Sequence, residues 1–169
     1  MVAKPCLLVV DDEPDLVQSV KDLLHLDYKV LVATRAREGL ALMEREDVQI
    51  VMSDQRMPEM TGVEFLKRVK EAFPDAIRLI FTAYADLDAV IDAINEGHVY
   101  RYLSKPWEVD ELHAVLRQAM DKYRLQAERK QLLKEIQEKN RQLEAANREL
   151  QRANELKQAF IKVASHELR

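Results

Sequence analysis

The chain has 169 residues, 47% hydrophobic and 33% charged, enough for one ordinary domain with a sizeable core and a remainder. No apolar run nears the ~20 residues needed to cross a bilayer, no secretory leader pattern opens the chain, and the single cysteine, Cys6, excludes an internal disulfide or a cysteine-built metal site. The net charge of −4 is unevenly spread, with 15 Lys and Arg against 23 Asp and Glu in residues 1–122 but 11 against 7 in residues 123–169.

In chain order, short β-rich apolar runs at Leu7–Val10, Val30–Ala33, Ile50–Ser53, Leu79–Thr82 and Tyr100–Leu103 alternate with amphipathic stretches near 14–26, 35–46, 62–73 and 87–96. A further helix is predicted from about Glu108 onward. Pro14 sits where a first-turn proline is tolerated. Thr61, followed three residues later by Glu64, predicts a capping box. Strict alternation of strand and helix implies parallel strands with helices on both faces. The expected fold is therefore α/β: a flavodoxin-like, doubly wound, five-stranded parallel sheet over residues 1–122.

Such a sheet gathers its chemistry at the carboxyl ends of its strands. Asp11, Asp12 and Glu13 follow the first run, Asp54 the third; Thr82 ends the fourth, and Lys105-Pro106 follows the fifth. Converging carboxylates repel one another unless a hard cation neutralises them, and oxygen ligands without His or Cys favour Mg²⁺. Lys105 adds a positive charge and Thr82 a hydroxyl. The set is equipped for phosphoryl transfer to a carboxylate, with Asp54 as nucleophile and no general base required.

The segments LLVVDDEPDL, IVMSDQRMPEMTGVEFL, LIFTAYAD and YRYLSKPW resemble, in order and spacing, the signature segments of bacterial response-regulator receiver domains, from residue 5 to about 122. The resemblance implies that Asp54 is the phosphoacceptor, that Asp11 and Asp12 hold Mg²⁺, and that the backbone carbonyl of Arg56 completes the metal site. It implies equally that Thr82 and Lys105 are the assisting hydroxyl and lysine, that Tyr102 is the aromatic switch, and that Lys105–Pro106 is cis. Arg56 and Tyr84 match positions that tune how fast water reaches the phosphate; a bulky pair there implies a longer-lived phosphoryl group. A dehalogenase-type phosphatase also uses an aspartate nucleophile, but that family places a second aspartate where this chain has Arg56.

All three glycines and all five prolines lie at or before Pro106, so nothing beyond it breaks a helix. Leu133, Ile136, Leu143 and Leu150 fall on one heptad seam, with Asn140, Asn147 and Asn154 at the intervening core positions. Buried asparagine fixes register and favours two parallel strands. The seam shifts near Leu150–Leu156 and resumes as Leu156, Phe160 and Val163. Residues 123–158 are thus expected to form a parallel homodimeric coiled coil. Its basic residues are interleaved with glutamate, which points to helix-face pairing. The chain is accordingly expected to bind neither nucleic acid nor membrane, and to be cytoplasmic.

The final FIKVASHELR resembles the start of the phosphoacceptor helix of dimeric sensor histidine kinases. That match implies His166 as a phosphorylated histidine and Glu167 as its adjacent acid, with residues 159–169 a truncated piece of that helix. No ATP-binding domain follows, so the chain is expected to lack kinase activity of its own. The leading expectation is a receiver whose phosphorylation regulates a dimeric histidine-kinase transmitter, served by a histidine kinase or phosphotransfer partner. The alternative is a stand-alone response regulator whose coiled coil recruits a separate output protein.

Overall fold

A computed structural model describes residues 2–168, without the side chain of Tyr84, so the expectation attached to that side chain lies outside the described residues. Two compact units emerge, residues 1–126 and 127–169.

The first unit alternates β1 (Cys6–Val10), α1 (Pro14–Leu24), β2 (Lys29–Ala33), α2 (Ala36–Arg45), β3 (Ile50–Asp54), α3 (Gly62–Ala72), β4 (Ile77–Thr82), α4 (Leu87–Asn95) and β5 (Arg101–Ser104), then enters α5 (Val109–Glu167). The five strands are parallel in the order β2-β1-β3-β4-β5. This is the doubly wound order that the alternation predicts. β1 and β3 are buried along their whole length, as expected of central strands covered on both faces.

Successive residues of β1 feed opposite layers. Leu7 and Val9 pack with Val17, Val20 and Leu24 of α1 and Leu112, Leu116 and Ala119 of α5. Leu8 and Val10 pack with Met43 of α2, Phe65 and Val69 of α3, and Val90 of α4. The alternation is the two-residue period of a pleated strand.

Local signals set the boundaries. Pro14 begins α1, and the Thr61–Glu64 capping box is reciprocal: Glu64 N–H donates to Thr61 Oγ1 at 3.2 Å, and Thr61 N–H to Glu64 Oε2 at 2.8 Å. β4 starts two residues earlier than its apolar run, because Arg78 interrupts the run while pairing with Val51. The Arg78 guanidinium reaches loop carbonyls, with Nε to His98 O at 2.8 Å and Nη1 to Ala76 O at 2.8 Å, so a cation is accommodated inside a strand.

The second unit is the continuation of α5, whose side chains over 127–163 are all exposed. Leu133, Ile136, Leu143 and Leu150 are 50–68% exposed, and Leu156, Phe160 and Val163 are 59–74% exposed. No described helix is long and apolar enough to cross a membrane.

Candidate functional site

The reversal of strand order between β1 and β3 places their carboxyl ends side by side, and the acidic residues stand there. Asp11, Asp12 and Asp54 each offer a carboxylate oxygen within 4.8 Å of the others. Asp11 is fully buried and Asp54 is 8% exposed, while Asp12 faces outward. Lys105, just beyond β5 and joined to Pro106 by a cis bond, places Nζ 2.9 Å from both Asp11 Oδ2 and Asp54 Oδ1. Asp11 Oδ1 accepts the Glu13 N–H at 3.0 Å, which anchors the carboxylate to the entry of α1.

Burial pushes the Asp54 carboxyl above the ordinary aspartate range; the Lys105 hydrogen bond opposes this and repulsion from Asp11 adds to it. For Lys105, burial acts against the charge, but hydrogen bonds to Asp11 and Asp54 outweigh it and raise the ammonium's pKa. Three carboxylates and one ammonium leave two negative charges uncompensated. An all-oxygen donor set with that surplus fits a hard divalent cation such as Mg²⁺.

Thr82 ends β4 buried, and its hydroxyl donates to the Ala83 carbonyl at 2.9 Å. Tyr102, on β5, is 36% exposed. His166 and Glu167 occupy exposed positions at the end of α5, in the second unit, whereas the carboxylate cluster lies in the first.

The model for the response regulator receiver domain matches residues 7–117. The chain belongs to that family. Over 122 residues this receiver is 40% identical to the hydrogenase transcriptional regulatory protein HoxA of Bradyrhizobium diazoefficiens, taking in 72% of this chain and 25% of that protein. The receiver chain thus spans about a quarter of the length of the curated relatives it first matches. Among solved structures it resembles one described as adenylate cyclase from Rhodopirellula baltica, with TM-score 0.76 and 31% identity over 78% of this chain and 98% of that one. It also resembles the signal receiver domain of an HD-domain-containing protein from Pseudomonas fluorescens Pf-5, with TM-score 0.71 and 35% identity over 76% and 96%.

Three features of this receiver's pocket escaped the sequence reasoning. Gly62 opens α3 directly against the end of β3: its N–H donates to Gln55 O at 2.9 Å, and a Cβ there would lie 2.1 Å from the Asp54 carbonyl oxygen. Gly62→Ala is therefore expected to destabilise the receiver by ~1–3 kcal/mol or more, since backbone must move to admit the methyl. Urea unfolding of the variant measures it, and an unchanged midpoint would contradict the packing. The signal available in sequence was a glycine at the first helical position, a place that otherwise gains nothing from one.

Gln55 is buried beside Asp54, with Oε1 accepting the Val63 N–H at 3.0 Å and its backbone N–H donating to Phe81 O at 3.1 Å. The Arg56 side chain makes a two-point ion pair with Asp86, Nε to Oδ2 at 2.8 Å and Nη2 to Oδ1 at 3.1 Å. Nothing in the spacing of Arg56 and Asp86, thirty residues apart, announces that pair.

Proposed function

We propose that this chain is a phosphoacceptor receiver module that takes a phosphoryl group on Asp54 in a Mg²⁺-dependent reaction. The observation that carries the proposal is Lys105 Nζ lying 2.9 Å from both Asp11 and Asp54, with Asp12 completing the acidic cluster. Asp11, Asp12, Asp54 and the Arg56 carbonyl would hold the ion, whose chemical contribution is to neutralise negative charge on the phosphoryl oxygens.

An Asp54 carboxylate oxygen attacks the phosphorus of a phosphohistidine or a small acyl phosphate. A P–O bond to Asp54 forms as the P–N or P–O bond to the donor breaks. The departing imidazole or carboxylate keeps the bonding electrons, and the imidazole gains a proton from solvent. Lys105, already at the rim, exchanges a carboxylate contact for a phosphoryl oxygen and stabilises the charge spread over the transferring group. Thr82 trades its Ala83 contact for a phosphoryl oxygen, and the space it leaves admits Tyr102 from its half-exposed position on β5.

For the output, the unbroken α5 with its exposed heptad seam supports a parallel homodimer that carries the phosphorylation signal along a coiled coil to a histidine-kinase transmitter. His166, exposed at the end of α5 beside Glu167, would be that transmitter's phosphorylated histidine. The kinship with a protein named a transcriptional regulator favours a second reading, in which this receiver controls a different output attached or recruited through the same helix.

Incubation with acetyl phosphate and Mg²⁺ should add one phosphoryl mass to wild type and none to Asp54→Ala, and chelation should abolish the gain. A label lost in alkali belongs to an acyl phosphate on Asp54, whereas an alkali-stable, acid-labile one marks His166. Equal labelling of wild type and Asp54→Ala would end the assignment.

A further inference from the structure

Asp86 stands at the position that precedes the first residue of α4, where aspartate ordinarily caps a helix by accepting the N–H of the second or third residue inside. It does not do so. Its side chain makes no capping hydrogen bond, and its backbone, with ψ of 11°, leaves a short 3-10 turn (Tyr84–Asp86) where a capped entry is extended. Thr61, which does cap α3, has ψ of 161°. The Asp86 carboxylate is instead held at two points by Arg56, two residues after Asp54.

The pair borders the acidic cluster. Arg56, Asp86 and Asp12 line one shallow depression together with Gln55 and Thr61. The Arg56 side chain is 72% exposed against 21% for Asp86, so the guanidinium end of the pair has room to turn to a better partner. A phosphoryl group is such a partner, offering more charge and several oxygens to a guanidinium fork.

We propose that Asp86 is a two-position residue, held by Arg56 while Asp54 is bare and released to cap α4 when Arg56 turns to the phosphoryl oxygens. The proposal rests on Asp54 being the phosphoacceptor. It gives α4 a second connection to the pocket, independent of Thr82 and Tyr102, through the opening turn of the helix. Both arrangements satisfy the carboxylate, which is what a two-state element requires.

Asparagine at 86 keeps the capping oxygen but loses the charge that holds Arg56; alanine loses both. Amide hydrogen exchange at Asp88 and Ala89, with the acetyl phosphate concentration giving half-phosphorylation, separates these cases. In wild type, phosphorylation should raise protection of those amides about fivefold, the factor a good cap supplies. Asp86→Asn should show that protection before phosphorylation and reach half-phosphorylation at a roughly threefold to tenfold lower donor concentration, as expected when a competing state is removed. Asp86→Ala should lack the protection in both states. Phosphorylated wild type with unchanged Asp88 and Ala89 amides, or Asn and Ala variants that behave alike, would overturn the proposal while leaving Asp54 in its role. Wild type that takes no phosphoryl group would remove both.

Discussion

Asp54→Asn is expected to raise the melting temperature of the metal-free protein at neutral pH while abolishing its uptake of phosphate. The cause is the strain of ionising a carboxylate that is buried beside Asp11. A carboxyl whose folded pKa lies above its unfolded value stabilises the fold fully below the unfolded pKa, and that contribution is lost as pH rises through the folded one. At neutral pH wild type therefore carries the whole penalty, and asparagine, which does not titrate, escapes it. Lys105 is not orphaned by the change, because its contact with Asp11 at 2.9 Å survives. The expected gain is about 0.5–2 kcal/mol, typical of relieving a functional site, or roughly 2–8 °C in a domain of this size. The advantage should vanish under acidic conditions and shrink with added Mg²⁺, which relieves the same repulsion in wild type. Calorimetry across pH, with and without the ion, measures all three. A variant less stable than wild type at pH 7 would contradict the electrostatic account.

The second large effect concerns association. Leu143→Asp is expected to turn a dimer into a monomer and to lower the helix content of the second unit. Leu143 is 62% exposed in the single chain, so a charge there costs the isolated fold little. In a paired helix the same side chain sits in the seam, where loss of a leucine costs about 2–5 kcal/mol and weakens association by at least ~100-fold once a charge is buried as well. Sedimentation and far-ultraviolet circular dichroism report the two changes. Asn147→Ile should act oppositely, tightening association while relaxing the preference for two strands. A monomeric wild type at tens of micromolar would remove the homodimer from the proposal.

The strands and most helices were legible because their signals are local. Leu7–Val10 announces a buried strand as a short β-rich apolar run, Pro14 and Thr61 mark helix starts, and three carboxylates at strand ends declare a pocket. Arg78 hid the start of β4, since a cation within an apolar run reads as a boundary when its carbonyl partners come from distant loops. Gly62, Gln55 and Asp86 were missed for a related reason. What makes each important is contact with a residue several or many positions away: the Asp54 carbonyl, the Val63 amide and Arg56.

Lys105 and Asp11 are 94 residues apart in the chain and meet at 2.9 Å only when β1 and β5 occupy one sheet with β3 and β4 between them. Competence to receive a signal is therefore a property of the completed fold. On the proposed role of Asp54, a nascent or partly melted chain would carry every required side chain and still have no address for a phosphoryl group.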